Sequence, residues 1–293
     1  MKTHYLIIVI LVFASCTKGT NQTERSISTD TIEVAAPSAD CPRRVCDIPL
    51  PDRFVRTPLK DSTSFAFYLR HLPLKPQGSP VYTYAGQPSW TTEYAYAVID
   101  SVDCGTEDLQ QCADAIIRLR AEWLYKNNRY DEIAFHFTNG WLCEYKRWAE
   151  GERVSVNGNK TSWYKATAPD YSYKTFRKYL NMVFMYAGTL SLSKELHSVP
   201  IHDIQIGDVF IKGGSPGHAI IVLDVADCTY YKGEKCFIVA ESYMPAQDIH
   251  IIINVTNYRE SVSPWYLMYD IYRTGDEYDF ATYTFNSRDL KRF

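Results

Sequence analysis

Gly207-Asp208-Val209-Phe210-Ile211, followed by Gly213-Gly214-Ser215-Pro216-Gly217-His218-Ala219-Ile220-Ile221-Val222, is the stretch on which the reading of this chain turns. A Gly-Asp turn leads into a short apolar strand, a Gly/Pro loop follows, and a histidine opens a second apolar run. An imidazole at a strand edge is placed for acid and base work, and Gly217 leaves room beside it for a substrate backbone. Further along, Phe237 to Tyr243 and Ile249 to Ile253 are short, rich in Val and Ile and bounded by turns. The C-terminal half therefore reads as an antiparallel sheet.

Upstream, the strongest periodicity runs from Cys112 to Lys126. Cys112, Ile116, Leu119 and Trp123 recur at helical spacing on one face, which predicts an amphipathic helix with Cys112 at its start. Phe65 to Leu72 and Phe176 to Tyr186 read as further helices, the second ending near Gly188. Val81 to Tyr84, Tyr94 to Ile99 and Asp131 to Phe137 read as strands. Helices early and strands late define an α+β chain.

The chemistry implied is that of a cysteine nucleophile. A helix N-terminus stabilises a thiolate through its free N–H groups and macrodipole, and a nearby imidazole holds or takes the proton. Cys112 is the candidate nucleophile and His218 the candidate base. A third group should orient the imidazole, and Glu241 and Gln247 in Glu241-Ser242-Tyr243-Met244-Pro245-Ala246-Gln247 are the candidates. If Cys228 and Cys236 face each other across a regular hairpin, alternation puts Ser242 and Met244, not Glu241, on the His218 face; a bulge or another register restores Glu241. His197, His202 and His250 form no metal-ligand spacing, so neither a metal nor a cofactor is expected.

Gly-Asp, apolar strand, loop, His, apolar strand resembles the C-terminal half of NlpC/P60 and CHAP domains, papain-like cysteine peptidases and amidases of cell-wall peptides. That resemblance implies a papain-like α+β fold with an N-terminal helix carrying the Cys and a C-terminal antiparallel sheet. It also implies a catalytic Cys112, His218 and Glu241 in that order. Cys112 and His218 lie about twice as far apart as is usual in such domains, which requires an insertion between roughly Phe135 and Ser193. Over nearly the whole mature chain the sequence also resembles the bacterial lipoprotein family called domain of unknown function 4846. The residues concerned are Gln111-Cys112-Ala113-Asp114-Ala115, Arg118-Leu119-Arg120-Ala121-Glu122, Ser215-Pro216-Gly217-His218 and Ser242-Tyr243-Met244-Pro245-Ala246-Gln247. Relatives with Gln at the position of Glu241 imply that the third group accepts from an imidazole whether charged or not.

The chain is 293 residues long, enough to bury a sizeable core. Lys2, the apolar run Tyr5 to Phe13 and Ala14-Ser15-Cys16 read as an export signal, too short to span a bilayer. Small residues before a Cys resemble a bacterial lipobox, which implies lipidation of Cys16. The expected organisation is a signal peptide over 1–15, a disordered polar tether over 16–49 and a single domain over 50–293. The expected address is the cell envelope, with the membrane met through the lipid alone. With 31 Lys+Arg against 34 Asp+Glu, no basic excess invites nucleic acid. The chain has eight cysteines, and an oxidising compartment favours pairing. Cys228 with Cys236 is the expected bridge, across a turn-like spacer; Cys41 with Cys46 and Cys104 with Cys143 would leave Cys112 as the odd thiol. The partner expected is a cell-wall peptide or glycan, cleaved by a cysteine amidase or peptidase, or merely bound by a non-catalytic module whose 23 Tyr stack on it. A structural part in an outer-membrane complex is the third possibility.

Overall fold

Apolar runs too short to stand alone are gathered into one sheet. In the computed structural model, which describes residues 42–256, 263–270 and 275–293, the first third supplies β1 (Phe54–Arg56), α1 (Phe65–Arg70), β2 (Ala95–Val98) and α2 (Cys112–Lys126). The middle adds β3 (Ala134–His136), β4 (Leu142–Glu144), α3 (Tyr145–Ala149), β5 (Glu152–Asn157), β6 (Lys160–Lys165), α4 (Tyr173–Tyr186) and α5 (Thr189–Glu195). The last third contributes β7 (His197–Ser198), β8 (Val209–Lys212), β9 (His218–Cys228), β10 (Lys235–Glu241) and β11 (His250–Ile252). It ends with β12 (Trp265–Leu267), β13 (Glu277–Asp279), β14 (Thr284–Asn286) and β15 (Leu290–Arg292).

Nine strands share the large sheet, in the order β2-β11-β10-β9-β8-β15-β7, with β1 added on β9 and β12 on β10. Its described pairings are antiparallel. β9 is the axis: its first half pairs with β8 and its last three residues with β1. Its first nine residues are buried, as expected of a strand covered on both faces. On one face Ala219, Ile221 and Leu223 join a core shared with Ile116 and Leu119 of α2 and Phe176 of α4. On the other, Ile220 and Val222 pack with Phe237, Phe280 and Phe285 in a second apolar layer.

One irregularity in β9 positions the site. Ile238 faces Asp224 but Val239 faces Val222, so Leu223 is an extra residue, a β-bulge. Because side chains alternate, one extra residue moves everything beyond it to the other face. Ala240 then faces Ile221, and Glu241 falls level with Ile220, on the same face as His218.

The expected papain-like α+β domain, a helix leading and a sheet following, is overturned. One dominant antiparallel sheet draws β1 and β2 from ahead of the Cys112 helix and pairs them with β9 and β11. β1, three residues long, is too short for alternation to register in the sequence, whereas β2 falls within the strand expected over Tyr94 to Ile99, and what the sequence did not show was its pairing with β11. The segment expected as an insertion holds the hairpins β3–β4 and β5–β6 with α3 to α5. Val81 to Tyr84 makes only single bridges, Tyr82 with Pro88 and Thr83 with Gln247. Packing begins before residue 50, since Val45 and Ile48 are buried in the core.

The Cys228–Cys236 bridge is also overturned, and both thiols are free. Cys236 faces Ala226, and Cys228 lies two residues further along, where its N–H bonds the Glu234 carbonyl. Such diagonal neighbours are about 7–8 Å apart, beyond the usual Cα reach of a disulfide, about 6.8 Å. Cys104 and Cys143 stand unpaired as well. Cys16, Cys41, the leader and most of the expected tether lie outside the described residues. No helix among the described residues is long and apolar enough to cross a membrane.

Candidate active site

Cys112 is the first residue of α2. The helix begins there because Asp114, at its third position, accepts the Gln111 N–H at 3.2 Å. The segment ahead is held by a buried network. Arg118 Nη1 donates to Gln110 Oε1 at 2.9 Å and Arg118 Nε to Glu122 Oε1 at 2.7 Å, while Tyr173 OH donates to the same glutamate oxygen at 2.6 Å. Asp108 Oδ1 accepts from Gln111 Nε2 at 3.1 Å and from Ala246 N–H at 2.6 Å, which ties the helix start to the loop after β10. The thiol is thus fixed against the end of the sheet.

His218 opens β9 and is buried. Its Nε2 lies 2.6 Å from Glu241 Oε2, and it shares the lining of one cleft with Cys112. Burial alone lowers the affinity of the ring for its proton. The nearby Cys112 thiol, then the hydrogen bond with Glu241, overrides burial and pushes the imidazole up to about 9. Glu241 is likewise buried. Burial opposes its charge, but the hydrogen bond from His218 and the His250 ring, whose Nε2 lies 3.4 Å from Oε1, hold the carboxyl down to about 2. Thr282 Oγ1 donates to Glu241 Oε2 at 2.9 Å.

The pair lies in an open cleft of about 640 Å³. One wall is the end of α4 and the turn into α5, including Met185 and Gly188; another is the loop Gly214 to Gly217, and a third carries Tyr243, Met244 and Tyr283. The Tyr243 ring stands 5.0 Å from that of His218 and 5.2 Å, edge-on, from the exposed Trp90. A larger cavity, about 780 Å³, lies at the other end of β9 around Cys228 and Tyr230; its lining has a thiol but no imidazole.

The structure brings Cys112, His218 and Glu241 together and leaves Gln247 out. The Gln247 side chain is buried between Ser89, which donates to its Oε1 at 2.6 Å, and Thr91, which accepts from its Nε2 at 2.8 Å. It secures a loop and does not orient His218. Gly217 also has a different task from leaving room for substrate. A Cβ there would come within 2.4 Å of the Gly214 carbonyl and 2.6 Å of Thr189 Oγ1, so the loop closes only on glycine. The Gly-Asp turn is structural: buried Asp208 takes a bidentate ion pair from Arg292, at 2.6 and 2.8 Å, locking β15 onto β8.

Sequence reasoning missed His250 and Thr282 as neighbours of Glu241. His250 is fully enclosed and sits directly across from Glu241 in the β10–β11 pairing. The available signal was their nine-residue separation around a turn, the spacing of a cross-strand pair. Among the described residues no group of three or more His, Cys, Asp or Glu is arranged to hold a metal.

A family profile described as Domain of unknown function (4846) matches residues 46–292, and the chain belongs to that family. Neither the curated proteins nor the solved structures offer a match.

Proposed function

We propose that the protein is a cysteine hydrolase that cleaves an amide bond in a peptide or peptidoglycan stem. The observation that carries the reading is the Cys112–His218–Glu241 line, a thiol, an imidazole and a carboxylate in sequence with the thiol on an open cleft. His218 takes the thiol proton, and the thiolate attacks the substrate carbonyl to form a tetrahedral oxyanion. The N-terminal end of α2, where Cys112 stands, offers its macrodipole to that charge. Collapse breaks the C–N bond, and the imidazolium gives its proton to the leaving amine. A thioester on Cys112 remains. Water then attacks the thioester, with His218 accepting one of its protons, and the thiolate leaves. Glu241 holds Nε2–H of His218 throughout and so fixes which ring nitrogen faces sulfur.

The aromatic wall of Tyr243 and Tyr283, with the exposed Trp90 packed behind Tyr243, suits an extended chain laid across the cleft. We further propose that the protein is an envelope lipoprotein anchored through Cys16, by the lipobox-like Ala14-Ser15-Cys16. Replacing Cys16 with Ala should then release it from the membrane fraction.

The test is incubation of the full chain with purified cell-wall peptides and stem-linked muropeptides, read by mass spectrometry for new amine and carboxyl ends. Release by the native protein and none by Cys112→Ser supports the reading. Equal binding by both proteins with no cleavage by either would replace it with a glycan- or peptide-binding module.

A further inference from the structure

We propose that the basic pocket beside the Cys112 cleft, built by Gln110, Lys174, Arg177 and Lys178, is a subsite that binds a carboxylate carried by the peptide laid in that cleft. The peptide rests on the hydrolase reading above; the anion site stands on its own donors.

The pocket is a cavity of about 260 Å³ between the segment ahead of α2 and one face of α4. Lys174, Arg177, Lys178 and Asn181 recur at helical spacing along that face, while Phe176, Tyr179, Leu180 and Val183 are buried in the core. Leu109 and Phe184 line both this cavity and the Cys112 cleft, so the two share a wall. A chain lying in the cleft can turn a side group over that wall into the pocket.

Two donors in the lining have no acceptor. Gln110 is 1% exposed, and its Oε1 accepts from Arg118 Nη1 at 2.9 Å. A guanidinium only donates, so the amide cannot be turned round, and Nε2 has to find its acceptor elsewhere. No residue among those described accepts from it. Arg177 gives Nη2 to Asp103 Oδ1 at 3.2 Å, and its Nη1 is enclosed and likewise without a partner among the described residues. Buried N–H groups are rarely left without an acceptor. Two of them, with two lysine ammoniums around one small cavity, call for an anion.

Charge sets the kind of anion. The lining carries three cations, Lys174, Arg177 and Lys178, against one carboxylate, Glu107, which accepts from Asn181 Nδ2 at 3.4 Å. Cys104 adds no charge, since burial pushes its thiol up to about 11. With Glu107 in the lining and Asp103 already on Arg177, the excess suits a singly charged carboxylate better than a dianionic phosphate. A peptide supplies the first and not the second. The cleft itself offers such a group no other cation, because the described residues lining it include Asp108 and Asp114 but no Lys or Arg.

The test is a titration of the nitrogen-labelled full chain with a blocked glutamate, N-acetyl-glutamyl amide, with its neutral counterpart N-acetyl-glutaminyl amide, and with inorganic phosphate. The side-chain N–H signals of Gln110 and Arg177 are followed by NMR. The glutamyl compound should shift both signals saturably, and the glutaminyl compound should not. Read on Gln110, Arg177→Gln should weaken binding by about tenfold or more. Lys178→Gln, a change at an exposed side chain that leaves the fold intact, should weaken it by roughly threefold. An equal response to the neutral compound, no response to the glutamyl one, saturation by phosphate alone, or unweakened binding in both variants would each overturn the assignment. Cys112→Ser should bind the glutamyl compound as the native chain does, so the two readings fail separately. Binding with no cleavage of cell-wall peptides by the native protein would remove the hydrolase and support the carboxylate site; cleavage with no binding would remove the carboxylate site alone.

Discussion

The two buried charge clusters on β9 are built from different materials. In mid-strand, Asp224 takes Arg56 Nε at 2.8 Å and Arg70 Nε at 2.6 Å, and the Arg70 guanidinium goes on to the carbonyls of Thr57 and Val225. At the start of the strand, His218 meets Glu241, with Cys112 on one side and His250 on the other. The first cluster joins a carboxylate to guanidiniums that stay charged at any working pH, and it pins β1 and α1 to the sheet. The second consists of groups that can gain or lose a proton, retains two under-satisfied polar atoms and opens on a cleft. A buried charge alone does not mark a function; exchangeable protons beside an accessible nucleophile do.

Breaking the closed cluster should have the largest effect on the fold. Asp224→Ala leaves the buried Arg70 uncompensated and should cost about 3–5 kcal/mol in urea unfolding. Cys112 in the remaining folded molecules should alkylate as before. In the open cluster, His218→Ala should slow any turnover by about 100-fold or more with a smaller loss of stability, since the ring faces the cleft. Cys112→Ser should abolish turnover and leave the unfolding midpoint nearly unchanged.

The open cluster also predicts how stability follows pH. His218 is raised to about 9 from an unfolded value near 6.5, so its contribution is complete below about 6.5 and is lost as pH climbs through about 9. Glu241 is lowered to about 2, so its contribution is complete above the ordinary glutamate range, about 4.3, and fades as pH falls toward about 2. Urea midpoints from pH 3 to 10 should be highest between these limits, and the alkaline decline should be much reduced in His218→Gln.

Smaller effects sharpen the contrast. Gln247→Ala should cost about 1–3 kcal/mol by orphaning the Ser89 and Thr91 hydroxyls, without altering the pH dependence of Cys112 alkylation. Cys228→Ser should change stability by less than about 0.5 kcal/mol, with the same small change whether or not a reducing agent is present, because no bridge joins Cys228 to Cys236.

What was legible in the sequence follows from which signals are local. α2 was read with its observed ends because its apolar spacing is dense and Cys112 starts it. β8 and β9 were legible because their apolar runs are long enough to show between turns. Glu241 stayed ambiguous because its face depends on the extra residue Leu223, which no local pattern announces. The same dependence on register misled the pairing of Cys228 with Cys236: a turn-like spacer brings two strands together without saying which residues face each other. His250 was invisible for the same reason, its role set by which residue it meets across β10 and β11. Gln247 was misread because a buried amide in a loop and an amide orienting a histidine have one sequence signature. The fold class failed where the three-residue β1, and β2, read as a strand but without its partner, joined the sheet.

The central claim is that Cys112 is activated by His218, and selective alkylation tests it most directly. The native full chain is treated briefly with iodoacetamide at pH 7, and the labelling of each cysteine is compared with that in His218→Ala. The account predicts that Cys112 is modified well ahead of the other partly exposed thiols, Cys46, Cys104 and Cys228, and that this lead disappears in the variant. Labelling of Cys112 at the same rate as those thiols, unchanged by the loss of His218, would contradict it.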